Sequence, residues 1–163
     1  MKVKFGVIVS LLLLSATAAA EKPDYSQQIQ IDADNLVSIE ESILTYKSNV
    51  VVTQGSIQLK ADQLEINATA GKGNEIYIAS GSPVTYSQMM ADGTPVTAQA
   101  NEMRYEPSSR TLTLSGDAQL SKNDSIVKAS VIRYNLEKQD ISAESDQSKR
   151  VTTIITPEEK SQP

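Results

Sequence analysis

The sequence predicts an all-β fold of stacked antiparallel strands. Apolar residues alternate two apart through most of the chain, most clearly in Asn49 to Ile66, where they fall at Val50, Val52, Ile57, Leu59, Ala61, Leu64 and Ile66. That is the period of a strand with one buried face. Turn-prone residues, Gln54-Gly55-Ser56 and Asp62-Gln63, punctuate the alternation. Two short signatures also recur in one interleaved order, as expected of stacked β-units. One is a small residue followed by polar turn formers, in Ala33-Asp34-Asn35-Leu36, Ala61-Asp62-Gln63-Leu64, Ala100-Asn101-Glu102-Met103 and Ala129-Ser130-Val131-Ile132, with starts 28, 39 and 29 residues apart. The other is Ser48-Asn49-Val50, Ser80-Gly81 and Ser115-Gly116-Asp117-Ala118.

Met1 to Ala20 reads as a secretory signal peptide. Lys2 and Lys4 give the positive end, Phe5 to Leu14 is an apolar run too short to span a bilayer, and Ala18-Ala19-Ala20 fits a small-x-small cleavage site before Glu21. The expected organisation is therefore a signal over residues 1–20, one β-domain over 21–156 and a disordered polar tail over 157–163. Removal of Lys2 and Lys4 takes the 15 basic residues to 13 against 20 acidic ones, a net charge of −7. An acidic chain without a basic stripe is a poor nucleic-acid partner. The expected location is the periplasm.

The strands follow in order. Glu21 to Gln28 is polar, with a short helix near the mature N-terminus left open. Ile29 to Ala33 alternates as a first strand, followed by Leu36 to Ile39, Ile43 to Tyr46 and Val50 to Val52; the Val triplet predicts a strand covered on both faces. Ala68 to Glu75 is a loop. Strands resume at Ile76 to Ile78 and Val84 to Tyr86, and Asp92-Gly93 marks a hairpin tip. Val96 to Ala100, Glu102 to Glu106, Thr111 to Ser115, Ala118 to Ser121, Ser125 to Ala129, Ile132 to Asn135, Ile141 to Glu144 and Val151 to Ile155 complete the set.

The chain offers little for catalysis. It has no Cys and no His, which removes thiol nucleophiles, imidazole bases and the zinc sites that need them. Acids such as Glu40-Glu41, Asp62, Glu65 and Asp117 sit in turns or on polar strand faces, where carboxylates are usually just solvated. Gly71-Lys72-Gly73 is too short for a phosphate loop and precedes a strand. No catalytic residue, metal site or cofactor is expected. The apolar faces carry the remaining signal. Their candidate lining residues are Ile29, Ile31, Val52, Leu59, Leu64, Ile66, Ile78, Val84, Tyr86, Met103, Tyr105, Leu112, Leu114 and Leu120. These are mid-sized aliphatics with few aromatics, which suits an apolar groove open at its ends as well as a closed core. Edge strands normally carry blocking charges or Pro. Here Ile29-Gln30-Ile31 lacks them, and Val151-Thr152-Thr153-Ile154-Ile155 is β-branched throughout, so both termini suit strand addition.

The stretches NVVVTQGSIQLKADQLEI (49–66), PVTYSQMMADGTPVTAQANEMRYE (83–106), LSGDAQL (114–120) and KRVTT (149–153), taken together and in order, resemble the OstA family of periplasmic lipopolysaccharide-transport bridge proteins. The resemblance runs from about Gln28 to Pro157 and leaves out the signal and the tail. It implies an open β-jellyroll shaped as a slightly twisted V, with acyl chains of lipopolysaccharide held in an apolar interior that includes Ile29, Tyr86 and Tyr105. It also implies head-to-tail self-association, the C-terminal strand of one protomer pairing with the N-terminal strand of the next. The same edges would join an inner-membrane-anchored jellyroll partner and the jellyroll domain of an outer-membrane translocon. Three alternatives remain from the residues alone: the anchored jellyroll partner of the same pathway, a lipid-free structural fibre subunit, and a β-helical polysaccharide-active enzyme.

Overall fold

The computed structural model describes residues 22–157; the expected signal and all of the expected tail but Pro157 lie outside them. Ten strands form one sheet: β1 (Ile29–Asp32), β2 (Asn35–Glu40), β3 (Ile43–Gln54), β4 (Ile57–Asn67), β5 (Ile76–Met89), β6 (Pro95–Glu106), β7 (Thr111–Lys122), β8 (Ser125–Asn135), β9 (Ile141–Glu144) and β10 (Thr152–Ile154). Every pairing is antiparallel, and β3 to β8 neighbour one another in chain order. β1 and β2 share β3 at one edge, and β9 and β10 share β8 at the other. The sheet is open. The one helical element among the described residues is a 3-10 turn at Asp24–Ser26.

β3 to β8 are each longer than the alternation predicts, because one predicted break in each is a bulge. Register slips fall between Lys47 and Val50 on β3, Lys60 and Gln63 on β4, Ser80 and Val84 on β5, Gln99 and Glu102 on β6, and Ser115 and Ala118 on β7. They line up across the sheet as a single row. The two recurring signatures supply this row: one lies on β4, β6 and β8, the other on β3, β5 and β7. Bulges need backbone conformations that most residues avoid. Ser48 and Asn49 have φ of 66° and 51°, Gly116 and Asp117 of 79° and 48°. A Cβ on Gly116 would also stand 2.9 Å from the Asn101 amide nitrogen. The row is a crease at which the sheet bends into two arms.

One face of both arms turns inward. On one arm a row runs Tyr46, Leu64, Ala79, Met103, Leu114, Ile132, Ala143 across seven strands, and the next runs Leu44, Ile66, Tyr77, Tyr105, Leu112, Tyr134. On the other arm the matching row is Ile31, Val52, Leu59, Tyr86, Ala98, Leu120, Val127. Most of these residues are buried, and the remainder pack against the buried set. The crease folds the two inner faces onto each other: the Tyr134 hydroxyl of one arm lies 3.6 Å from Met90 Sδ at the end of the other. The outer rows are polar, for example Lys60, Thr85, Gln99, Gln119 and Lys128. Val51 shares that row between Asp32 and Lys60 and is only half-buried, so the Val triplet is not covered on both faces.

Candidate functional site: an apolar groove and its mouth

Between the arms lies a cavity of about 60 Å³, lined by Ile29, Val52, Gln54, Ile57, Leu59, Leu64, Tyr77, Ala79, Tyr86, Met103, Tyr105, Leu112 and Leu136. All but Gln54 are apolar or aromatic. Of the fourteen sequence-predicted lining residues, Ile29, Val52, Leu59, Leu64, Tyr86, Met103, Tyr105 and Leu112 border this space. Ile66, Val84, Leu114 and Leu120 are buried in the same inward layer around it, and Ile31 packs against that layer. Ile78 does not belong with them. It stands on the outer face, in a row with Thr45, Glu65, Arg104, Thr113 and Arg133. The run Ile76-Tyr77-Ile78 has no phase of its own, since all three residues are apolar. The register with β4 and β6 turns Tyr77 and Ala79 inward. Sequence reasoning missed Gln54, Tyr77, Ala79 and Leu136 as cavity-lining residues, and placed Ile57 on the buried face without assigning it to the lining. Phasing from Leu64 through the crease would have found Ala79 and Tyr77; Leu136 lies beyond the end of β8 and carries no periodic signal.

Three tyrosines, Tyr77, Tyr86 and Tyr105, line the groove. The Tyr77 and Tyr105 rings pack with centroids 6.2 Å apart at 45°. Burial pushes the phenols of Tyr77, Tyr86, Tyr105 and Tyr134 above their ordinary value, most strongly at Tyr86, where Tyr134 and Asp24 add to the effect. All four are therefore neutral at physiological pH, and the interior presents no charge to a ligand.

A polar mouth lies where the arm ends meet. The Tyr86 hydroxyl donates to Gln88 Oε1 at 2.9 Å, and the buried Gln88 passes its amide to Asp24 Oδ2 at 3.0 Å. Asp24 also accepts from the Ser56 backbone N–H at 2.8 Å and from the Ser56 hydroxyl at 2.7 Å. Gly55 beside it has φ of 59°, and a Cβ there would stand 2.2 Å from Asp24 Oδ1. Gln54 donates to the Gln27 carbonyl at 2.9 Å. Tyr25 packs against the core, and the Arg110 guanidinium lies over its ring at 4.3 Å from the centroid. Glu137 pairs with Arg110 from behind and raises its pKa.

Residues 30–140 match the family model described as LptA/(LptD N-terminal domain) LPS transport protein. The chain belongs to this family. It is 38% identical over 162 residues to the lipopolysaccharide export system protein LptA of Haemophilus influenzae, covering 98% of this chain and 94% of that one. It is 37% identical over 150 residues to the Escherichia coli K12 protein of the same name, covering 91% of this chain and 81% of that one. The crystal structure of LptH, the LptA homologous periplasmic component from Pseudomonas aeruginosa, superposes with a TM-score of 0.75, covering 83% of this chain and all of that one at 21% identity. The fold is thus the open jellyroll of the LptA/LptD N-terminal family, and the crease row and inward rows place the groove along its V.

Proposed function

We propose that this chain is a periplasmic lipopolysaccharide carrier that holds acyl chains between the two arms of the V and passes them along a bridge of jellyrolls. The observation that carries the reading is the continuous apolar inner face inside a polar outer one, in a sheet that stays open at both edges. The names of the relatives, lipopolysaccharide export system proteins, support it. The protein does no chemistry in this role. The energy for lifting lipid from the inner membrane comes from a partner.

The edges support the assembly half of the proposal. Among the described residues, the large exposed hydrophobics are Leu36, Met89, Ile141, Val151, Ile154 and Ile155. All but Met89 lie on β2, β9, β10 or beside β10, at the two sheet edges. Strand addition there, with Ile29-Gln30-Ile31 of one copy receiving Val151 to Ile155 of another, would continue the inward rows from protomer to protomer. The same edges would receive the inner-membrane-anchored jellyroll partner at one end and the outer-membrane translocon jellyroll domain at the other.

The small cavity favours a second reading, a fibre subunit with a dry core, because a free space of about 60 Å³ with an almost wholly apolar lining is the kind that stays dry. In-cell photo-crosslinking separates the two. A crosslinking side chain at Tyr86, Tyr105 or Tyr77 captures lipopolysaccharide, and one at the outward positions Thr85 or Ile78 does not. Absence of capture at all inward sites, with the protein folded and exported, favours the fibre; equal capture at inward and outward sites removes the groove assignment.

A further inference from the structure

The arms are held together at the mouth by a segment that belongs to neither arm. Pro23 to Gln27 crosses from the β3–β4 turn, through Ser56, to the end of β5, through Gln88. Tyr25 of the same segment reaches Arg110, in the turn after β6 on the opposite arm. Its own backbone bonds, Ser26 N–H to the Pro23 carbonyl at 2.9 Å and Gln27 N–H to the Asp24 carbonyl at 2.9 Å, are internal to the turn. Detaching it breaks no strand ladder. Its anchors are side-chain bonds at exposed or part-buried sites, where the net worth of each is small.

Two further facts give the strap a direction. The space behind it is apolar, with a free cavity of about 60 Å³, so an acyl chain that enters pushes against the side chains lining it. Gln88, to which Asp24 is bonded, also accepts the hydroxyl proton of Tyr86, a groove-lining residue, and lies 3.5 Å from the Tyr134 hydroxyl. A chain that displaces the Tyr86 ring therefore pulls on the same amide that holds Asp24.

We infer that residues 23–27 are a lipid-displaced latch: in the empty protein Asp24 fastens the segment to one arm through Ser56 and Gln88, Tyr25 carries it across the mouth to Arg110 on the other, and acyl chains release both on entry. The inference rests on the acyl-groove reading. The latched state does not bind, so the apparent affinity is lowered by the fraction of molecules that are unlatched. Weakening the latch raises that fraction and tightens binding without adding any contact to the lipid.

The test uses the full mature chain, purified lipopolysaccharide and, as control, its deacylated sugar–phosphate core. The Asp24→Ala/Tyr25→Ala double variant removes three hydrogen bonds and the stacked ring. It should bind lipopolysaccharide about tenfold more tightly, the change expected from one to two net hydrogen bonds, with a faster association rate and no gain for the core. In the unmodified chain, amide exchange at Ser56, whose N–H is bonded to Asp24, should quicken when lipopolysaccharide is added, while the interior amides of β4 and β5 do not. This second measurement stands even if the double variant melts too low to use. If lipopolysaccharide is captured by a crosslinker at Tyr86 but the Ser56 amide stays equally protected or the folded variant binds no better, the latch is wrong and the groove survives. If a crosslinker at Tyr86 captures no lipopolysaccharide and the unmodified chain binds the deacylated core with the same affinity, the groove reading fails and the latch with it.

Discussion

Replacement of Leu64 by Ala tests whether the inner face is a packed layer rather than a water-filled trough. Leu64 is 2% exposed and borders the groove cavity between Tyr46 and Ala79. The substitution removes three buried carbons. At about 0.8 kcal/mol for each, the transfer loss is about 2.4 kcal/mol, and incomplete collapse around the hole adds a cavity cost. The expected destabilisation is about 3 kcal/mol. For a domain of this size each kcal/mol lowers the melting temperature by roughly 3 °C, so Tm should fall by roughly 10 °C. Ile78→Ala is the matched control. It also removes three carbons, but from the outer face among Glu65 and Arg104, and should cost less than about 1 kcal/mol. The two variants differ in function as well. Leu64→Ala enlarges the groove, so lipopolysaccharide should still bind it and recover part of the lost Tm by linkage. The assay is thermal melting of the mature chain and both variants, with and without lipopolysaccharide. Equal losses at Leu64 and Ile78 would contradict the inward phase of β4 and β5. A folded Leu64→Ala protein whose Tm no longer responds to lipopolysaccharide would contradict the elastic, packed groove.

Deletion of residues 151–163 removes β10, which pairs with β8 over only three residues; the remaining sheet should stay folded but lose concentration-dependent oligomers in light scattering, and unchanged oligomers would place the joint elsewhere. Affinity for fluorescent lipopolysaccharide should hold or strengthen as salt rises from low to moderate, because the acidic chain and the anionic head groups repel and salt screens that repulsion; strong weakening with salt would make head-group recognition the main force. Stability should drop at alkaline pH. Burial raises the Tyr77, Tyr86, Tyr105 and Tyr134 pKa values above the ordinary 10.0, so the folded state holds their protons more tightly than the unfolded one, and the stability they contribute is complete below about pH 10 and is lost as pH rises above it. Melting temperature followed from pH 8 to 12 checks this, and a flat profile would mean the phenols are not buried.

Much of the fold was legible in the sequence because a strand with one buried face writes its phase into the residues. Leu64 and Ile66, or Leu112 and Leu114, alternate with polar neighbours and admit one orientation only. The positions of the crease were marked there as turn formers, since bulges favour Gly, Asn, Asp and Ser; what the residues could not say was that Asp62-Gln63 and Gly116-Asp117 bend continuous strands rather than end them. That distinction is made by the partner strand, whose hydrogen bonds run past the bulge. Ile76-Tyr77-Ile78 had no polar residue within it to set its phase, so only the register of this strand with Leu64 and Met103 turned Tyr77 and Ala79 inward and Ile78 out. The mouth was least legible. Asp24 and Tyr25 meet Ser56, Gln88 and Arg110 across separations of 32 to 85 residues, and no local period records such contacts. The sequence by itself determined the strands and most of their buried faces, because each is enforced by neighbours along the chain. The closure of the V, the size of the space inside it and the strap across its mouth were decided only when the crease brought distant segments together.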